Sequence, residues 1–546
     1  MLIDVIDTPE AFEAVRPQWE EVFEADPHAQ HFLSWTWLNR YLGHRRRWFV
    51  LALRENVDAR YVAFFPLRLQ TRRDKDGFFY DEIIMAGNYA ADYTGFIADP
   101  AYENRAVAGF AAYLKHQNWT EIKFDYFGGP PSRRIALIKA LQGPQVMFRD
   151  SKRTSPQNID NRVCPVITLP ETWDAYLEQH MSAQSRQKLR RFLRKVEGDP
   201  AYRITFATAE TIDRDLDILF DFWRIRWQPH KGAEMTERLI KSSREMLVDC
   251  FADGNLDVPV LWYEDRPLGV LANIVDRQKK TVLFYITGRD EEWKLPSPGL
   301  VLHGTCIRRA IGEGFRFYDF LRGNEPYKYM FGVEERPISC TLFRTRDGRN
   351  LGGVLNPRSI RHVYEMSLDH YHKGRKADAE IGFRQILQSA PAHRGAEFGL
   401  ANLMFEKGDL AAAEVSYRNL MPRLADPAPV LVRLGDVLLA TGRNREAAET
   451  FRDICRKAPG HREARYKWGV ALVAEKRFND AAAVLEPLVA LPSADESDRR
   501  HAEKARALIL RIAPALTPRA PRVFKMAEPT FPKPDVFSPS LVPLPA

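Results

Sequence analysis

The residues with the clearest chemical potential lie in one short segment of the 546-residue chain, from Asp319 to Lys328. Asp319 stands among aromatic residues in a run with the pattern of an inner strand, where a carboxylate is costly to bury unless it is paired. Lys328 or Arg322 can supply that pair, or can face a phosphate group of a substrate. Tyr327 adds a hydroxyl beside the lysine. The segment therefore predicts either a buried structural ion pair or a set of catalytic and substrate-binding side chains.

A second pattern, Ser297-Pro298-Gly299, marks the start of a helix predicted over 298–312. Serine is a favourable N-cap, and proline suits the first helical position. The helix follows a strand-like run, so its free N–H groups and the positive end of its dipole face whatever that strand presents. Ser297 and Gly299 are therefore candidates for binding an anionic group. A well-capped structural helix is the alternative.

A basic amphipathic helix is predicted from Ser185 to Val196, with six basic residues among the ten at 186–195. Apolar residues at the spacing i, i+3, i+4 and i+7 form its opposite face. The basic stripe of Arg186, Arg190 and Arg194 is expected to meet a phosphate-rich substrate, an anionic glycan or an acidic membrane surface. A solvated helix face is the alternative.

These candidate residues need a scaffold, and the first 355 residues alternate strands with helices, which is typical of an α/β or α+β fold. Strands are predicted at 48–53, 61–69, 121–127, 258–263, 267–275, 281–287, 315–321 and 338–344. Helices are predicted at about 10–24, 103–117, 172–197, 211–227, 236–253 and 298–312.

Two parts of this region look alike. A helix near 103–117 leads into a strand with Asp125 and then Gly129, and a helix at 298–312 leads into a strand with Asp319 and then Gly323. In both, an aromatic residue follows the aspartate. A duplicated unit of about 170 residues is the economical explanation, and chance likeness of two short strands is its rival.

The C-terminal third repeats with a period of 34 residues, which resembles the tetratricopeptide repeat, a helix–turn–helix unit. Because one such unit cannot bury its apolar face alone, about four are expected to stack into a solenoid. The segment 497–512 is predicted to be a capping helix. The repeating positions are Gly374, Gly408, Gly442 and Lys476, then Ala379, Ala413, Ala447 and Ala481, then Phe383, Tyr417, Phe451 and Leu485.

Composition narrows the class of protein. The chain is 45% hydrophobic and 28% charged, as globular proteins are, and its net charge of +8 is a small excess for this length. Five widely spaced cysteines, none in a CxxC pair, argue against a disulfide framework and a zinc site. Without the pattern of a signal peptide or a membrane-spanning run, a cytoplasmic location is expected. Nine prolines among residues 514–546 predict a disordered tail.

A family resemblance rests on residues already quoted. The pattern resembles the signature of the CelD/BcsL-type cellulose-biosynthesis acetyltransferases, which belong to the GNAT superfamily and are similar to the Fem-type transferases with two tandem GNAT-like folds. Upstream segments at 32–38, 65–67 and 91–95 extend the likeness to roughly residues 10–345. The signature comprises Pro298-Gly299, Gly304, Ala310, Gly314, Tyr318-Asp319-Phe320, Gly323 and Tyr327-Lys328.

The resemblance implies a domain organisation and a chemistry. It implies GNAT-like domains at 1–160 and 161–355, tetratricopeptide repeats at 356–513 and the proline-rich tail at 514–546. The expected donor is acetyl-CoA or another acyl-CoA, attacked directly by an amine or hydroxyl without a metal, so that most of the rate comes from positioning.

The resemblance also implies roles for individual residues. The donor pyrophosphate would lie at the helix that begins at Pro298, beside Arg289. Lys328 matches a substrate-channel lysine of Fem-type proteins and would stabilise an oxyanion or a phosphate, with Asp319 and Tyr327 as candidate bases. The loop after Arg289 departs from the usual GNAT pattern, because three acidic residues, 290–292, replace its glycines. That departure fits the Fem-type variation, in which aminoacyl-tRNA is a donor.

The expected function is transfer of an acyl group to a cell-envelope or exopolysaccharide component or its precursor. Two alternatives are Fem-type aminoacyl transfer and a non-catalytic scaffold of a polysaccharide-synthesis complex. The expected partners are a protein bound through the repeats and a phosphorylated or glycan acceptor bound by Arg322, Arg186, Arg190 and Arg194, with contact to the inner membrane surface as a further expectation. Specific nucleic-acid binding is not expected, since no recognised motif is present.

Overall fold

A computed structural model describes residues 1–43, 47–88, 90–490 and 496–516. The chain forms two compact units. We call Met1–Gln70 with Asp81–Leu351 the sheet unit, and Thr71–Tyr80 with the chain from Gly352 onward the repeat unit.

The first half of the sheet unit is a mixed sheet flanked by helices. Its strand order is β1-β2-β3-β4-β6-β16-β7, with β5 paired to β3. The strands are β1 (Leu2–Ile6), β2 (Trp48–Arg54), β3 (Tyr61–Arg73), β4 (Phe79–Met85), β5 (Ile97–Ala98), β6 (Glu121–Phe127), β7 (Val146–Asp150) and β16 (Ser339–Thr345). The helices are α1 (Pro9–Ala14), α2 (Arg16–Ala25), α3 (Trp35–Gly43), α4 (Glu103–Lys115) and α5 (Pro131–Leu141).

The second half is a sheet of the order β15-β8-β14-β13-β12-β11-β9, with β10 paired to β12. The strands are β8 (Val163–Thr168), β9 (Tyr202–Phe206), β10 (Leu256–Asp257), β11 (Pro259–Tyr263), β12 (Arg266–Asp276), β13 (Thr281–Arg289), β14 (Phe317–Asp319) and β15 (Glu334–Pro337). The helices are α6 (Trp173–Gln179), α7 (Ala183–Gly198), α8 (Ile212–Lys231), α9 (Ala233–Ala252) and α10 (Pro298–Gly312).

The two sheets correspond strand by strand. Each has one parallel pair joined through a helix, β4 with β6 through α4 and β13 with β14 through α10. The matched strands β6 and β14 carry Asp125 and Asp319, and the glycines that follow, Gly129 and Gly323, both adopt positive φ, 100° and 105°. The structure therefore presents the two look-alike segments at equivalent positions of two similar sheets.

Two strands pair away from the strand that precedes them in the chain. In the chain, β8 follows β7, yet it lies between β14 and β15 of the second sheet. Likewise, β16 follows β15 but lies between β6 and β7 of the first sheet. The predicted boundary at residue 160 thus leaves β8 in the segment whose sheet it joins, whereas β16 of that same segment is hydrogen-bonded into the first sheet.

Most predicted strands and helices lie within a few residues of the observed ones. The helix predicted at 172–197 is instead two helices, because Ser182 caps α7 by accepting a hydrogen bond from the Ser185 N–H. The helix predicted at 10–24 also divides, at Val15. Short strands such as β15 escape sequence reasoning because an exposed polar edge strand has no apolar run.

The repeat unit is a series of antiparallel helix pairs. The turns at Gly374, Gly408 and Gly442 have φ of 75°, 84° and 75°, which explains glycine there, and Lys476 occupies the same position at 62°. The repeating alanines and large apolar residues are fully buried. The helices are α11 (Ile360–His372), α12 (Lys376–Ser389), α13 (Arg394–Glu406), α14 (Leu410–Leu420), α15 (Ala428–Ala440), α16 (Asn444–Lys457), α17 (Arg462–Ala474), α18 (Phe478–Ala490) and α19 (Glu496–Ile512).

The first helix pair is completed by the tip of the β3–β4 hairpin, residues 71–80. The backbone of Phe79 forms two hydrogen bonds with the side-chain amide of Gln385, of 2.8 and 2.9 Å, and its ring packs in the core of the pair. Arg73 pairs with Asp378 at 2.8 Å. The repeat unit is therefore built from two separate stretches of sequence.

The predicted fold class, mixed α/β GNAT-like domains followed by a helical repeat region, is confirmed. The predicted disordered tail lies outside the described residues from 517 onward. In the part of the chain that the structure describes, no helix combines the length and apolar character needed to cross a bilayer.

Candidate functional site

The candidate site lies where the parallel strands β13 and β14 part. They pair only over Thr281–Leu283 and Phe317–Asp319, while β13 continues to Arg289. Pro298, the first residue of α10, packs on β12 so closely that a Cβ at Gly269 would lie 2.9 Å from the proline ring. Because Gly269 is paired with Arg289, the start of α10 lies at the far end of β13.

The N-terminus of α10 is open. Ser297 makes no side-chain capping bond, the first turn holds no acidic residue, and a Cβ at Gly299 would meet no atom within 4 Å. These features leave N–H groups of the first turn available to an anion. Both predicted anion-binding residues therefore stand at an accessible helix start.

The matched helix of the first half begins with a carboxylate. α4 begins with Glu103, whose carboxylate accepts a 2.9 Å hydrogen bond from the buried Arg133. Hydrogen bonding to that guanidinium lowers the pKa of Glu103. Of the two matched helices, only α10 begins without a carboxylate.

The acidic loop after Arg289 is neutralised by arginines. Glu291 lies 2.8 Å from Arg289 and 3.5 Å from Arg226, and hydrogen bonding to Arg289 lowers its pKa. Arg266 contacts the other two carboxylates, Asp290 and Glu292. The three acidic residues therefore add little net negative charge beside the helix start.

Asp319 ends β14 and is only 2% exposed. Its Oδ2 accepts a 2.7 Å hydrogen bond from the Tyr93 hydroxyl of the first half, and its Oδ1 accepts one of 2.7 Å from the Leu321 N–H. Burial raises the pKa of Asp319 to about 6 in spite of these bonds. The carboxylate is thus held within the protein, between the two halves of the sheet unit.

Arg322 joins the same contact between the halves. Its guanidinium donates to Asp92 at 2.7 Å and lies 3.7 Å from the centre of the Tyr126 ring. Asp92 also accepts from the Arg322 N–H at 3.2 Å. The buried Asp–Lys or Asp–Arg pair considered for Asp319 is replaced by two contacts, Asp319 with Tyr93 and Arg322 with Asp92.

Lys328 lies in a short 3₁₀ helix, Pro326–Phe331, and is 3% exposed. Its ammonium group donates to the carbonyl oxygens of Arg322 and Gly323, at 3.0 and 2.9 Å, and lies 2.9 Å from the partly exposed Glu325. The Lys328 amine therefore stabilises the loop that follows Asp319 through these hydrogen bonds.

The ring of Tyr327 lies near that of the buried His303 on α10. Tyr327 remains 43% exposed, with its ring centre 6.3 Å from that of His303 on α10. His303 Nδ1 lies 2.9 Å from the Tyr318 hydroxyl. Burial and the charge of Lys328 lower the pKa of His303 to about 3, so the imidazole is neutral at physiological pH.

Sequence reasoning missed His303 and Cys164, and it included Tyr93 only in the likeness at 91–95, without a role in the site. His303 stands among apolar residues of α10, and a histidine on that apolar face was the signal that the sequence offered. Cys164 on β8 is buried near Asp319, and both burial and that carboxyl raise its pKa. Tyr93 and Cys164 come from segments remote in sequence from Asp319, which local patterns cannot connect.

The three arginines of the predicted basic stripe are each engaged. Arg186 donates to the Leu177 carbonyl at 3.3 Å, Arg190 lies 3.5 Å from Asp174, and Arg194 donates to the Arg190 carbonyl at 3.4 Å. Their helix packs against α10, where a Cβ at Gly304 would lie 2.6 Å from a Leu189 methyl.

The described residues contain no cluster of three or more histidine, cysteine or acidic side chains suited to a metal.

Comparison with known proteins assigns this region to a class. Residues 183–329 match the acetyltransferase (GNAT) domain family, and residues 432–496 match the tetratricopeptide repeat. The chain thus carries a GNAT-type acetyltransferase domain, which indicates a transferase, and C-terminal repeats of a kind that mediates protein–protein interaction. A search of the curated proteins gave no match.

Several solved structures are similar at low identity. FemX is 11% identical, with a TM-score of 0.43 over 63% of this chain and 97% of its own. L-PGS from Bacillus licheniformis is 11% identical, with a TM-score of 0.36 over 62% of this chain and 93% of its own. A tetratricopeptide repeat protein from Parabacteroides merdae is 17% identical, with a TM-score of 0.25 over 29% and 62%.

Proposed function

We propose that this protein is an acyltransferase of the CelD/BcsL type, which moves an acyl group from an acyl-CoA to an amine or hydroxyl of a cell-envelope or exopolysaccharide component or its precursor. The open N-terminus of α10, within the segment that matches the GNAT domain, is the observation that carries this proposal. It offers N–H groups and a positive dipole end to a pyrophosphate.

The residues around this helix fit an anionic donor. Gly299 leaves room beside the first turn, and Arg289 stands at the end of β13, where its guanidinium can move from Glu291 to a phosphate. The donor supplies an activated acyl thioester. The gap between β13 and β14 then positions the reacting group near the exposed Tyr327, so that orientation provides most of the acceleration.

The buried groups serve this site by holding its shape. Lys328 fixes the carbonyl groups of the loop after Asp319, and Arg322 fastens that loop to Asp92 of the first half. Tyr327 is the candidate base or acid with solvent access, although partial burial raises its pKa and keeps it protonated at neutral pH. Asp319 and Lys328 are thus proposed to position the site.

Calorimetric titration of the full chain with acetyl-CoA, against a panel of longer acyl-CoA thioesters, tests the donor. The variant Gly299→Asp places a carboxylate at the open helix start and should weaken donor binding at least about tenfold, or about 1.4 kcal/mol. Gly312→Asp is the matched control, because Gly312 lies at the other end of α10 and is equally open. Equal donor affinity of Gly299→Asp and the parent would remove the donor site from this helix.

Fem-type aminoacyl transfer is the second candidate. The acidic loop at 290–292 departs from the usual GNAT phosphate loop, and this departure favours a different donor. The same titration distinguishes the two, since an aminoacyl-tRNA user should show no saturable binding of any acyl-CoA. For the scaffold alternative, neither donor should bind, while the repeats should still capture a protein partner.

A further inference from the structure

The outward face of α7 carries four basic residues, one of which, Arg194, also belongs to the basic stripe and donates to the Arg190 carbonyl. Lys188, Arg191, Arg194 and Lys195 are exposed, and within the described ranges of the chain none of the four is paired with a carboxylate. The two carboxylates that α7 meets are used by other residues. Asp174 pairs with Arg190, and Glu197 lies 2.5 Å from Arg308.

The orientation of this face is fixed by packing. Leu189, Phe192, Leu193 and Val196 are buried in the core with α10, so the basic residues cannot turn inward. Lys188 and Arg191 lie over the edge of the core at 5.9 and 5.2 Å from the Phe192 ring centre. The charges are therefore presented on the convex side of a rigid helix.

Such a face suits a broad negative surface. Lys188 and Lys195 are seven residues apart, or about 10 Å along the axis, and Arg191 and Arg194 lie between them. A convex row of cations cannot enclose one small anion, whereas it can contact several headgroups of a flat anionic surface together. We propose that this face of α7 docks the protein on a lipid bilayer that contains anionic phospholipids.

A bilayer fits better than a nucleic acid. The one aromatic residue of α7, Phe192, is buried, so this helix offers no ring for base stacking. A bilayer requires only exposed charge. The inference is independent of the transferase proposal, because it concerns a different surface and a different ligand.

Vesicle sedimentation with the full chain tests the proposal. Vesicles of phosphatidylcholine mixed with phosphatidylglycerol should bind the protein at 0.1 M salt, and vesicles of phosphatidylcholine alone should not. Binding should fall steeply as salt rises to 1 M, because the screening length shortens from about 10 Å to about 3 Å.

A variant without these four charges tests whether this face of α7 is the surface that binds the vesicles. Changing Lys188, Arg191, Arg194 and Lys195 to glutamine should lower partitioning by on the order of 100- to 1,000-fold, since each basic residue near an anionic surface contributes roughly fivefold. The matched control neutralises four exposed basic residues of α16, namely Arg445, Arg452, Arg456 and Lys457, with the same change in net charge. That control should bind like the parent.

Any one of three results would overturn the proposal: no sedimentation of the parent chain with anionic vesicles, binding of the α7 variant equal to that of the parent, or a loss of binding in the control equal to that in the α7 variant. A titration with double-stranded RNA supplies the remaining comparison. Tight RNA binding without vesicle binding would assign the face to nucleic acid instead.

Discussion

Asp319 shows how a buried carboxylate sets the pH dependence of a site. Its two hydrogen bonds, from Tyr93 and from the Leu321 backbone, favour the charged form, but burial outweighs them and the pKa lies at about 6. A folded-state pKa above the unfolded value of 3.8 means that the folded protein holds this proton more tightly. The stabilisation is present in full below about pH 4 and is lost as the pH rises through 6.

Asp319→Asn is expected to remove this dependence. The free energy of unfolding of the parent, relative to the variant, should fall by about 3 kcal/mol between pH 3 and pH 8, since one pKa unit corresponds to about 1.4 kcal/mol. Urea unfolding of both proteins across that range measures the difference, in which other titrating groups cancel. A difference that stays constant with pH would show that the Asp319 carboxyl titrates normally.

Lys328 is expected to contribute to stability as well as to the site. Lys328→Ala leaves the buried carbonyl groups of Arg322 and Gly323 without their donor, which should cost about 3 kcal/mol of unfolding free energy. Lys328→Met keeps most of the stem and separates lost packing from lost hydrogen bonds. If the alanine variant were as stable as the parent but inactive, the Lys328 amine would act on the substrate and not in stabilising the fold.

At the level of residues, local sequence identified the segment but not its partners. Aromatic neighbours and spacing were enough to single out Asp319, Arg322 and Lys328. Tyr93 and Asp92, which hold two of them, lie more than 200 residues earlier, and only folding brings them together. The roles assigned to the three remain predictions.

Among elements, β8 and β16 each pair in a sheet other than that of the strand just before them, and β16 makes the first sheet depend on the second half of the chain. Phe343 of β16 is fully buried in the first sheet, 5.5 Å from Phe124 of β6. Ile167 of β8 is fully buried in the second sheet, opposite Tyr318 of β14. A substitution should therefore loosen the sheet in which the strand is paired, not the one nearest in sequence.

Phe343→Ala in β16 and Ile167→Ala in β8 together test this strand pairing. Each should cost about 2–5 kcal/mol through lost burial and a cavity. Hydrogen exchange should quicken in β6 and β7 for Phe343→Ala, and in β14 and β15 for Ile167→Ala. If Phe343→Ala loosened β14 and β15 instead, the strand pairing would be wrong.

Sequence predicted most single elements because apolar runs and caps are local signals. The likeness around Asp125 and Asp319 also predicted a duplication. The sheet that β8 and β16 each join left no such signal, since a buried strand has the same alternation whichever sheet receives it. Polar edge strands such as β15 were missed for lack of any apolar run.

For the whole molecule, the two-part repeat unit alters what an isolated repeat fragment should do. Its first helix pair buries Phe79, which belongs to the hairpin tip at 71–80. Cleavage near the predicted start of the repeats at residue 356 yields a fragment that lacks this residue. The 34-residue period predicted the helices, whereas the contribution of a distant hairpin has no counterpart in that period.

Phe79→Ala in the full chain is expected to destabilise the first helix pair by about 3–5 kcal/mol. The fragment that begins at Gly352 should show the same fraying of α11 and α12, detected as fast amide exchange, while α15 to α18 stay protected. Phe78→Ala is the control, because the Phe78 side chain is half exposed. Full protection of α11 and α12 in the fragment would show that the tip is dispensable.

The position of β16, a late strand that pairs in the first sheet, also bears on synthesis at the ribosome. The first sheet has β6 and β7 by residue 150, but the strand that lies between them ends only at Thr345. A nascent chain therefore carries two unpaired strand edges through the translation of nearly 200 further residues. Such edges invite pairing with other chains, so efficient production of this protein should depend on a chaperone that shields the growing polypeptide until translation has passed β16.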